Sequence, residues 1–244
     1  MIRDFVQGFT AYFSAIGDIG KYKLWKYVIM SGLVSLSIGT LIVKGCLSLS
    51  YRLADWLVGF YKWDFGKSII DTASDYIVAA LLISIALLLF KYVVMVVVSP
   101  FMSLISEAIE SKDNQEYAKQ GFTLSGAISD IIRGLRIATR NLSRELFFTL
   151  VIIIIGLFPL TTIVAPVLLF SVQAYYAGFG NMDYLLERHY RVAGSARFVR
   201  DNRWLAIGNG VAFLLLLMIP VVGMFMAPTL GTIAATKTGM RRLS

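Results

Sequence analysis

Cysteine and histidine are almost missing from this chain: Cys46 and His189 stand alone among 244 residues. One cysteine excludes an internal disulfide framework, and one histidine leaves little material for a clustered metal site. Catalytic signatures are lacking as well. There is no HExxH-type pair, no evident nucleophile with a base, and no Gly-x-x-x-x-Gly-Lys-Ser/Thr loop, so neither an enzyme nor a self-powered ATPase is expected. No motif calls for a cofactor. Charge is scarce, with 16% charged residues against 57% hydrophobic ones, and the mean hydropathy is +0.72. That exceeds what a soluble core needs. The N-terminus also lacks a signal peptide's pattern, because Ile2 to Ile19 carries Arg3, Asp4 and Asp18 among spaced apolar residues. We expect it to be retained.

What the chain does have is a series of long apolar blocks parted by short basic segments, the layout of one bundle in a bilayer. The net charge of +8 comes from Lys and Arg that flank these blocks. Such placement points to membrane anchoring and away from nucleic acid. Residues 1–20 read as an amphipathic interfacial helix, with Ile2, Phe5, Phe9, Tyr12, Phe13 and Ile16 at helical spacing. After Lys21, Lys23 and Lys26 comes an apolar run over 27–49, long enough to cross a hydrocarbon layer of about 30 Å. Lys44 near its far end reads as a snorkelling lysine. A second span covers 76–98, where Lys91 fits either snorkelling or a pore lining. Over 127–145 the sequence reads as a basic amphipathic helix whose Arg133, Arg136, Arg140 and Arg144 fall on one stripe. That stripe suits anionic headgroups or an anion vestibule.

The remaining apolar material repeats itself around prolines. Each unit has an apolar arm, a proline (Pro159, Pro220), several residues, then Ala-Pro (Ala165-Pro166, Ala227-Pro228) and a second arm. Proline disfavours helix continuation, so each pair predicts a bend, and the twelve-residue arm from Phe147 to Phe158, rising about 18 Å, is too short to cross. We therefore expect re-entrant hairpins over 147–180 and 205–236, with the turns around Thr161, Thr162 and Gly223 facing the bundle interior. Charge agrees with this topology. Of 23 Lys and Arg, the connection 51–75 holds only Arg52, Lys62 and Lys67, Lys44 and Lys91 lie in spans, and all others fall on the opposite, cytoplasmic face. The expected architecture is thus an all-α integral membrane protein in one domain, with two long transmembrane helices, two hemi-penetrating hairpins and amphipathic interfacial helices.

Several motifs in order resemble the CysZ family of bacterial sulfate permeases, part of the superfamily of the etoposide-induced membrane protein. They are Ser99-Pro100-Phe101 with Leu104, Glu107 and Glu110; Arg140 with Arg144-Glu145; Ala165-Pro166-Val167-Leu168; Asp183-Tyr184; Ile219-Pro220; and Ala227-Pro228. The resemblance implies a multi-pass protein of the bacterial inner membrane that takes up sulfate, or sulfite, for cysteine synthesis. It places the anion site just before the first span, where the family motif reads Gly-Leu-Arg or Gly-Ile-Arg-Arg. The aligned residues here are Lys23, Trp25 and Lys26, of which Lys26 attracts an anion as a point charge. Glu107 falls on the family's acidic position, where it would hold a basic partner such as Lys26, Arg136 or Arg140. Asp183 and Arg188 read as an ion pair. A chain with two crossings is too thin to enclose a pore, so a homo-oligomer is expected. The competing reading is a scaffold that holds partners or anionic lipids without transporting anything.

Overall fold

A computed structural model describes residues 1–60, 90–113, 122–158, 161, 163–219 and 221–243, with backbone alone for 47 and 50–60. Among the described residues the regular structure is entirely helical: α1 (Ile2–Lys21), α2 (Trp25–Phe60), α3 (Phe90–Val97), α4 (Ser99–Asp113), α5 (Leu124–Gly156), α6 (Ala165–Leu186), α7 (Val192–Asp201), α8 (Arg203–Leu217) and α9 (Val222–Leu243). The chain forms two compact units, one made of Met1–Ser35 with Val94–Ser244 and the other of Leu36–Val93. In the smaller unit Lys91 is buried, its ammonium 4.7 Å from the ring centre of Tyr92.

Within α2 the stretch Trp25–Cys46 is long and apolar enough to cross a membrane. The expected second span falls among the described residues only from Phe90 onward. There α3 is followed by a break at Val98 and a 64° bend into α4. Pro100 sits in the first turn of α4, where its missing N–H costs nothing.

The larger unit is built around α6, α8 and α9. Helix α1 buries Gly8, Tyr12, Ala15 and Ile19 along one stripe and leaves Ile2, Val6, Phe13 and Ile16 exposed on another. At Gly208 and Gly210, α8 approaches its neighbours backbone to backbone. A Cβ on Gly208 would lie 2.1 Å from the Phe5 carbonyl oxygen in α1, and one on Gly210 1.7 Å from that of Ala174 in α6. Small residues of this kind permit dense packing where lipid supplies no hydrophobic drive. Buried amides then fasten the helices: Asn181 donates to Asn209 at 2.8 Å, and Asn209 donates to the Gly231 carbonyl at 3.2 Å.

Two expectations about the prolines are revised. The basic segment 127–145 and the first apolar arm are one continuous helix, α5, because no Gly or Pro intervenes between Arg144 and Gly156. Pro228 does not separate two helical arms; it lies buried inside the continuous helix α9. Proline removes one i→i−4 hydrogen bond, and the packing of α9 on α1, α4, α6 and α8 compensates. Chain reversals do occur between α5 and α6 and between α8 and α9. Pro166 opens α6, and Val221 adopts a left-handed φ of 62° in the second turn. Pro159, Thr162 and Pro220 lie outside the described residues.

Candidate anion site

Helix α1 ends in a turn fixed by two buried residues, Tyr22 and Leu24. The Leu24 amide donates to the Ile19 carbonyl at 2.9 Å and Lys23 takes a left-handed φ of 56°. Tyr22 and Leu24 are buried, whereas Lys23, Trp25 and Lys26 are each exposed. Leu24 precedes the first residue of α2 and supplies no side-chain oxygen to the first helical amides, which leaves that terminus able to favour an anion. More positive charge gathers nearby. Lys112 donates to the Lys21 carbonyl at 2.8 Å, and the ammonium groups of Lys21 and Lys112 lie 4.8 and 5.4 Å from the Tyr22 ring centre. The Tyr22 hydroxyl donates to the Asp113 carboxylate at 2.8 Å, and burial together with that carboxylate raises its pKa.

A second polar region is a cleft of about 520 Å³ lined from α4, α5 and the end of α6. Its walls carry Glu107, Glu110, Asp130 and Glu187 against Arg133 and Arg188. Both arginines are committed to protein partners. Arg133 grips Asp183 with Nε at 3.0 Å and Nη2 at 2.9 Å, while Nη1 donates to the Tyr190 carbonyl at 3.0 Å. Arg188 donates to Glu110 at 2.7 Å, to Ser106 at 2.7 Å and to the Tyr184 carbonyl at 3.0 Å. The other Glu110 oxygen meets His189 Nε2 at 2.5 Å.

The ion pairs therefore differ from the expected one: Asp183 takes Arg133 and Arg188 takes Glu110. Asp183 lies in a buried stretch of α6, and a buried carboxylate needs a close, forked partner. Arg188, five residues on, reaches α4 instead. Burial, then the negative charge of Asp130, pushes Glu187 up to about 8. Burial likewise raises Asp130 to about 6, although Ser103, Arg188 and Arg133 pull it down. The acidic groups outnumber the guanidiniums here and both guanidiniums already face carboxylates, so this cleft offers little free positive charge to an anion.

Glu107 lines that cleft with Arg133 and Arg188, whereas Arg136 and Arg140 line a shallow groove with Ile132, Leu135, Thr139 and Ser143. Arg136 is exposed. Arg140 donates to the Asn141 side chain at 2.9 Å and lies 5.2 Å from the Phe179 ring centre. Sequence reasoning did not single out Arg133, Asp130 or Glu187 as one cluster. The usable signal was Asp183 itself, a charge in an otherwise apolar stretch that had to find a cation.

A family model described as Sulfate transporter CysZ/Etoposide-induced protein 2.4 matches residues 11–228. No curated protein matches the chain.

Proposed function

The chain belongs to the family of sulfate transporter CysZ and etoposide-induced protein 2.4, and from that premise we propose that it is a permease for sulfate or sulfite in the bacterial inner membrane, feeding cysteine synthesis. The family match over residues 11–228 carries this reading. Lys26 and Lys23 offer the anion its charge beside Trp25 at the start of α2, and Glu107 serves the neighbouring cleft. The exposed, apolar character of Leu157, Ile163, Val164, Met218, Ile219 and Val222 supports hairpin tips whose outer side chains meet lipid, while Thr161 is half-buried and Gly223 buried, as turns that face the interior require. From Leu146 to Gly156 the apolar arm of α5 rises only about 16 Å, which suits partial penetration. A conduit then forms within or between copies of a homo-oligomer.

The test is uptake of labelled sulfate into sealed proteoliposomes. The full chain is expected to load them and Lys26→Ala to lose most of the uptake. Absence of uptake by the full chain, with binding to anionic lipid retained, sinks the permease reading and favours a lipid-binding scaffold.

A further inference from the structure

Arginines of α5 and α7 converge on a pocket of about 390 Å³ far along α5 from the cleft just described. Its lining is Arg140, Arg144, Tyr175, Ala193, Ala196, Arg197 and Arg200. Four guanidiniums surround it and its lining contains no carboxylate. Arg200 Nε lies 3.7 Å from Oδ1 of the exposed Asp201. Burial, and after it the like charge of Arg144, lowers the pKa of Arg140. Guanidiniums gathered round one pocket repel one another, and an anion seated among them relieves that repulsion.

We propose that this pocket is a second anion site, seating a tetrahedral oxyanion of the phosphate or sulfate class between the guanidiniums of α5 and α7, with the Tyr175 hydroxyl available as a further donor. Guanidinium forks match such oxygens two at a time. The small side chains of Ala193 and Ala196 leave room between the helices for the group. The same oxyanion chemistry has two sources, a free ion or a phospholipid headgroup. The setting suits a headgroup: exposed apolar side chains of α5 flank the arginines on both sides, Ile132 and Leu135 before Arg140 and Leu146, Phe147, Phe148 and Leu150 after Arg144. The site goes beyond the α1–α2 turn and does not depend on transport.

The experiment uses the purified full chain and the double variant Arg144→Gln/Arg197→Gln, two exposed positions whose loss leaves the Arg140 contacts intact. Thermal unfolding without ligand checks that the variant folds. Binding is then read in two arms, titration with free sulfate and phosphate, and native mass spectrometry with phosphatidic acid, phosphatidylglycerol or phosphatidylcholine. Affinity at this site is expected to fall at least about tenfold in the double variant and to recover in part with Arg144→Lys/Arg197→Lys. Loss of phosphatidic acid and phosphatidylglycerol adducts identifies a headgroup site; loss of a free-ion response identifies a soluble oxyanion site. Lys26→Ala is expected to lower only the free-ion response of the α1–α2 turn and to leave the lipid adducts and the Arg144- and Arg197-dependent response unchanged, which separates this site from the transport reading. Equal binding by wild type and the double Gln variant in both arms overturns the proposal.

Discussion

Helix α5 carries arginines into two settings that treat the same side chain in opposite ways. At Arg133 the guanidinium is enclosed by Asp183, Ser195 and the Tyr190 carbonyl. At Arg144, eleven residues on, it stands exposed among other arginines. The first arrangement spends its donors on the protein and so holds helices together. The second leaves them for a ligand. A positive stripe on a helix is therefore not one functional unit; what faces each residue from α6 and α7 decides its use.

Removing Arg133 should have the largest effect. Arg133→Ala strands the buried Asp183 carboxylate, and we expect a loss of about 3 kcal/mol in thermal unfolding, corresponding to about 6–12 °C for a chain of this size. A loss below about 1 kcal/mol would erase the distinction between the two settings. Glu187→Gln comes next. A carboxyl whose folded-state pKa is raised binds more protons when folded, so its contribution is present at low pH and is lost as pH rises from about 4 toward 8. The wild type should therefore lose stability across that window, and Glu187→Gln should flatten the slope, shifting the melting temperature at pH 8 upward by about 3 °C relative to wild type. An unchanged slope would show that Glu187 does not carry the raised pKa. Least affected is Arg144→Gln, whose unfolding free energy without added anion should stay within about 0.5 kcal/mol of wild type. A larger loss would place Arg144 among the helix-holding arginines.

Much of the fold was legible where one physical signal ran uninterrupted. The stripe of α1 and the apolar run opening α2 were read to within a few residues, since helical spacing and hydropathy act locally. The join inside α5 was not, because a change from arginine to phenylalanine and isoleucine alters composition without breaking the backbone. Pro228 misled for the converse reason: its local cost is real, but packing from four helices overrides it. At the candidate site, Lys23, Trp25 and Lys26 were placed together by adjacency alone. Arg133 and Asp183 lie 50 positions apart, and which arginine of the stripe reaches Asp183 depends on how α5 and α6 cross, which no local pattern encodes.

The two glycines of α8 bear on motion as well as packing. With no side chain at Gly208 or Gly210, α8 meets α1 on one side and α6 on the other through main-chain atoms. Main chain has no rotamers to relax, so nothing at these crossings acts as a shock absorber. A displacement of α1 against α8, or of α8 against α6, therefore bears on main chain with no side chain between, and α6 is the helix that ends beside Glu187 and Arg188.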